Sequence, residues 1–247
     1  MFAIFRKEIG GFFNTITGYL VIVVFLLINS LFMWILPGEW NIIDSGYADL
    51  STLFQLSPWV FLFLVPAITM RMISEEKRLG TIELLLTRPV SEREIVYGKF
   101  LAALTLVVLA LLPGIVYFIT VYITGETPGN IDTGGNLGSF IGLLLLGAIY
   151  ASAGIFASSL TVNQAVAFVV SLFICFFLFT GFDYFAYIPG LNKVDEFITF
   201  LGINEHYRSI SRGVIDLRDI VYFAGVVVIF NEATRLSLLS GKWKKRH

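Results

Sequence analysis

Few residues in this chain of 247 could do chemistry. His206 and His247 lie far apart, and no H-E-x-x-H helix or nucleophile elbow accompanies them, so zinc-dependent and acyl-transfer reactions lack their residue sets. The stretch "LLSGKW" lacks the first glycine and the hydroxyl residue of a phosphate-binding loop, which excludes nucleotide hydrolysis of that kind. Cys175, the single cysteine, sits in an apolar run and reads as a packing residue. Within long apolar stretches the ionisable candidates are Asp183 and the group Asn231, Glu232 and Arg235. Asp183 falls near a stretch end, where water reaches it, and Glu232 with Arg235 at i+3 can pair and snorkel. Such a set is too sparse for an ion-coupled carrier, which buries carboxylates near the membrane midplane. What remains is residues 74 to 98, with nine charged side chains: Glu75, Glu76, Lys77, Arg78, Glu83, Arg88, Glu92, Arg93 and Glu94. Their chemistry is charge pairing.

The element carrying those charges reads as two helices. As a helix, the first half places Leu79, Ile82, Leu85 and Leu86 on one face and Glu76, Gly80, Glu83 and Thr87 on another. Pro89 stops it. Ser91 with Glu94 three residues later forms a capping box, which starts a second helix through Ile95, Tyr97 and Phe100. The product is a rigid helical elbow with its charge outward.

Composition places the elbow in a membrane protein. Hydrophobic residues make up 57% of the chain, charged residues 14%, and mean hydropathy is +0.83. A net charge of −1 leaves no basic excess for a nucleic-acid partner. Six apolar windows predict an all-α integral membrane protein, with spans at about 17–36, 52–73, 100–123, 137–160, 165–187 and 219–239. The first follows Arg6 and Lys7 like a signal peptide, but its apolar core is too long and "ILPGEW" offers no cleavage site, so it reads as an anchor. Lysine and arginine gather at the termini and the elbow, while residues 37–51 and 124–136 carry acids and no base, which predicts both termini in the cytoplasm. Trp34, Trp40 and Trp59 fall near the outer boundary and Trp243 near the inner one. No internal repeat or linker divides the chain, which reads as a single membrane domain without a nucleotide-binding domain.

Three further segments carry expectations. Phe5, Ile9, Phe12 and Ile16 form one stripe, predicting an amphipathic helix in the membrane interface and contact with lipid. Gly147, Ala151, Gly154 and Ser158 form a stripe of small residues, a helix-packing face within the subunit or across a dimer. In the outer loop of about 188–218, the run "FITFLGI" is too apolar for a free loop and too short to span, so it reads as interfacial or re-entrant.

The run "EEKRLGTIELLLTRPVSEREIVYGKF" resembles the first cytoplasmic loop of ABC-2 type exporter permeases, whose pattern is close to E-E-x-x-x-G-T-x-E-x-L-L-x-x-P-V-S. Glu75, Glu76, Gly80, Thr81, Glu83, Leu85, Leu86, Pro89, Val90 and Ser91 match it. "GVIDLRDIVYF", residues 213–223, resembles the family's lead into the sixth span, and the six-span layout covers essentially the whole chain. Within the family the chain is most similar to the gliding-motility-associated permeases. The polar "NEATR", residues 231–235, departs from the usually more apolar sixth span.

The resemblance implies a dimeric permease in a bacterial cytoplasmic membrane, its second subunit the same or a different chain. It also implies a separate ATPase subunit that binds ATP and Mg, with no cofactor on this chain. Glu75, Glu76, Glu83, Arg88 and Glu94 would then offer charge pairs to the ATPase, Gly80, Thr81, Pro89 and Ser91 would shape the elbow, and Ile82, Leu85 and Leu86 would anchor it. A membrane scaffold docking a cytoplasmic protein, or an ion-driven carrier, are the alternative readings of the residues.

Overall fold

The computed structural model describes residues 1–87, 90–126, 129–186, 199–213 and 216–244. Among them every regular element is helical. Helix α1 (Phe2–Phe13) leads into α2 (Ile16–Ser30), which ends in a π-helical turn, Leu31–Ile35. A short α3 (Ile42–Ser45) precedes α4 (Ser51–Thr69), and the elbow consists of α5 (Ser74–Arg78) and α6 (Thr81–Thr87). Then come α7 (Glu92–Leu111), α8 (Gly114–Thr124) and α9 (Thr133–Leu160). Helix α10 (Gln164–Phe176) continues through a second π-helical turn, Phe177–Gly181, into α11 (Phe182–Ala186). Last come α12 (Ile203–Ser211) and α13 (Leu217–Lys244).

Six helical runs are long and apolar enough to cross a bilayer: Ile16–Ile35, Ser51–Arg78, Glu92–Thr124, Thr133–Leu160, Gln164–Phe185 and Leu217–Ser240. Each overlaps a window expected from hydropathy. The third begins at Glu92 rather than near residue 100, because the capping box starts the helix before the apolar run does. It is also interrupted at Leu112 and Pro113, where proline has no N–H to continue the helical ladder.

Helix α9 is the most enclosed of the six and packs against α4, α7, α10, α12 and α13. Its small residues allow this. A side-chain carbon at Gly147 would stand 2.5 Å from Val107 of α7, and one at Gly154 would collide with Thr69 of α4. Lipid tails are as apolar as leucine, so such close approach supplies packing that the hydrophobic effect cannot. The stripe of Gly147, Ala151, Gly154 and Ser158 is buried and packs within this chain. It also extends further than expected: Gly138 and Gly142 let α12 lie across the first half of α9, against Ile210 and Tyr207.

Helix α12 occupies part of the long loop expected to be interfacial or re-entrant. Ile203, His206, Tyr207 and Ile210 face inward at helical spacing, so this part of the loop is packed protein. The first part of "FITFLGI" lies outside the described residues. His206 is not isolated either: its Nδ1 is 2.7 Å from Asp219 Oδ1, its Nε2 is 2.8 Å from the Phe200 carbonyl, and its ring stacks on Tyr222. This fastens α12 to the first turn of α13.

Candidate functional site

Residues 70–87 and 90–99 assemble with α1 at one end of the bundle. The chain leaves α4 through a turn, Met70–Ile73, whose polar groups are met by one hydroxyl of α9. Ser158 Oγ accepts hydrogen bonds from the N–H groups of Ile73 (3.1 Å) and Ser74 (3.0 Å) and donates to the Met70 carbonyl (2.9 Å). Ser158 thus fastens the elbow as well as being small. Next to it, Lys77 Nζ donates to the Ser159 carbonyl, which also accepts from Ser237 of α13 at 3.1 Å. A cation at the last carbonyls of α9 complements the helix dipole.

Gly80 then breaks the elbow. Its φ of +70° is the left-handed region open to glycine, so α5 and α6 are separate helices where one continuous helix to Pro89 was expected. The expected apolar face is altered as a result: Leu79 points to solvent, Ile82 turns inward and Leu85 is half-buried. Thr81 and Glu83 face outward. The main packing partner of α6 is α5, so α6 projects from the bundle. Arg88 and Pro89 lie outside the described residues, as does the side chain of Leu86. Beyond them the Ser91 capping box is complete: Ser91 Oγ accepts from the Glu94 N–H (3.3 Å) and the Glu94 carboxylate accepts from the Ser91 N–H (3.0 Å).

Glu76 does not face outward. It is 8% exposed and belongs to a four-charge cluster that joins α1, α5 and α7. Lys99, with no exposed surface, donates to Glu8 Oε1 at 2.8 Å and to the Met72 carbonyl at 2.7 Å. Its ammonium stands 2.9 Å from Glu76 Oε2, an ion pair whose angle misses hydrogen-bond geometry. Lys7 donates to Glu76 Oε1 at 2.6 Å. Two ammonium groups and two carboxylates make the cluster neutral. Burial by itself would lower the Lys7 pKa, but the hydrogen bond and charge of Glu76, helped by Glu8, leave it raised. Glu75 is partly exposed near Arg78, at 3.9 Å.

Helix α1 is held by this cluster, by one apolar contact and by one cation–π contact. Ile4 packs on Gly98 of α7, where a side-chain carbon would stand 3.1 Å away, and Phe12 lies under the Arg71 guanidinium at 4.9 Å. Phe5 and Ile9 are half-buried along the same face. Ile16 does not continue the expected stripe. The helix ends at Phe13, the chain turns at Asn14 and Thr15, and Ile16 opens α2 with its side chain exposed. Ile4 and Lys99 were the omissions from sequence. Ile4 borders the stripe, two turns before Phe12 at i−8, and could have been found; Lys99 is one base among several in a charged stretch.

The sequence matches the family model described as "ABC-2 family transporter protein" over residues 41–234. The chain belongs to the ABC-2 transporter family. No curated protein matches the chain. As an ABC-2 family member it is a multi-pass permease subunit of an ABC exporter, a transmembrane component of a kind not itself catalytic. The family match runs from residue 41, so it includes the elbow, Lys99 and α9 and leaves α1 outside. In the first turn of α7, Arg93 is 3.2 Å from Glu232, which also holds Arg235 at 2.8 Å. The polar "NEATR" thereby joins the sixth span to the same end of the ABC-2 bundle.

Proposed function

We propose that this permease couples ATP binding and hydrolysis on a separate ABC ATPase subunit to export, with α6 as the segment that meets the ATPase. One observation carries the reading: α6 projects from the bundle while its base is fastened to α1, α7 and α9 through Glu76, Lys99 and Ser158. A push on α6 then moves several spans as one body. Glu83 is exposed and Glu75 partly exposed, so a partner's charges could reach them, and Glu76 and Glu94 are committed to bonds within the chain. In this reading ATP and Mg sit on the partner, a second permease subunit completes the pathway, the lysine and arginine bias supports a cytoplasmic elbow, and the family resemblance supports a bacterial membrane. The resemblance to gliding-motility-associated permeases favours a role in that system.

The test is ATPase turnover of the co-purified complex in nanodiscs. Charge reversal by Glu83→Arg should reduce transport-coupled turnover about tenfold or more while the permease still folds and co-purifies. Unchanged binding and turnover would refute coupling through α6. Binding lost with no transport activity in the native complex would make the elbow a scaffold's docking site.

A further inference from the structure

At the end of the bundle opposite the elbow, a cleft of about 1090 Å³ opens between the first turns of α4 and α9, the π-helical turn Phe177–Gly181 and α12. Its size suits a headgroup with part of an apolar chain. We propose that it binds an amphiphile with a zwitterionic ammonium–phosphate head. The inference does not depend on ATPase coupling, since it concerns binding to this chain alone.

The lining selects this class by elimination. Among the described residues, four carboxylates, those of Asp49, Asp132, Asp183 and Glu205, face two guanidinium groups, Arg208 and Arg212, one turn apart. A purely anionic ligand would be repelled by these carboxylates, and a purely cationic one by both guanidinium groups. A zwitterion satisfies both. The aspartates are held in place by local donors and keep acceptor capacity. Asp49 Oδ1 takes the Ser51 N–H and hydroxyl, Asp132 Oδ1 takes the Gly135 N–H, and Asp183 Oδ2 takes the Asn204 amide. Among the described residues neither Arg208 nor Arg212 forms an ion pair.

Two amides mark the cleft as polar inside. Asn136 is 8% exposed and donates to the Asp132 carbonyl at 2.6 Å, which leaves its Oδ1 without a protein partner among the described residues. Gln55, an amide in an otherwise apolar span, lines the same space. Asn136 lines the cleft, and its amide oxygen can accept a hydrogen bond from an ammonium bound there. Trp40, Trp59 and Phe179 give the cleft an apolar wall and π faces suited to an ammonium and its chain.

Titration calorimetry of the purified full chain tests this with defined probes: dihexanoyl phosphatidylethanolamine, dihexanoyl phosphatidylglycerol, and free phosphoethanolamine. The short-chain ethanolamine lipid should bind about tenfold or more tighter than the glycerol lipid. Arg208→Gln and Asp49→Asn, both at exposed positions that folding tolerates, should each weaken it about fivefold or more. Weaker binding of phosphoethanolamine than of the lipid supports a membrane source. Equal binding supports the head chemistry and overturns the apolar half of the proposal. Equal affinity for both lipids, unchanged affinity in both variants, or no binding of any probe overturns the proposal.

Discussion

Replacing Lys99 by methionine tests the cluster that holds the elbow. The substitution keeps length and apolar stem and deletes only the ammonium. Glu8 and Glu76 are then left close together, with 13% and 10% of their side chains exposed, and lose the cation that stood 2.8 and 2.9 Å from them. Breaking a buried ion pair by removing one partner costs about 3–5 kcal/mol. The low end applies, because Lys7, 59% exposed, can still neutralise one carboxylate. About 3 kcal/mol corresponds to roughly a hundredfold in an equilibrium. Release of α1 is the easiest way to hydrate Glu8, so amide hydrogen exchange over Phe2–Phe13 should accelerate by about that factor in Lys99→Met. The double variant Lys99→Met with Glu8→Gln restores neutrality and keeps the Lys7–Glu76 bond. Its exchange should return to within about tenfold of the original, because replacing a whole buried pair is often near neutral. Exchange over α1 that changes less than threefold in Lys99→Met, or a double variant no better than the single one, would refute the cluster as the tie.

Other expected outcomes follow from single positions. Gly80→Ala meets no neighbouring atom within 4 Å, so its cost of about 1–2 kcal/mol is backbone strain alone; it should lower partner ATPase stimulation and reduce the unfolding free energy by no more than that amount. Gly154→Ala and Gly10→Ala should differ in sign. The first drives a carbon into Thr69 and should destabilise by about 1–3 kcal/mol, whereas the second meets open space in α1 and should stabilise by about 0.5–1 kcal/mol, both read by denaturant unfolding. The raised Lys7 pKa fixes the sign of an alkaline effect. Its contribution is complete below the ordinary lysine value of 10.5 and is lost as pH rises through the folded value, so α1 exchange should accelerate above that pH in the native chain and less in Lys7→Met.

The sequence by itself determined what short-range physics controls. Six apolar lengths set six helices, because a chain in lipid must satisfy its backbone within each helix. The Ser91 and Glu94 spacing set the start of α7, since both donors are satisfied within one turn. Small residues three and four apart announced the packing face of α9. Gly80 was also locally legible as a breaker, but in a helical pattern glycine is a moderate penalty, and only the observed φ of +70° decided that it ends α5. Tertiary structure alone decided which charges face inward. Glu8 and Lys99 are 91 residues apart, and no local rule distinguishes Lys99 from Lys77 or Arg93 as the one enclosed. It also decided which apolar faces meet protein. Lipid and protein interior have nearly the same polarity, so hydropathy marks a span without marking its inner side, and α12 lies on α9 because Gly138 and Gly142 leave room for it.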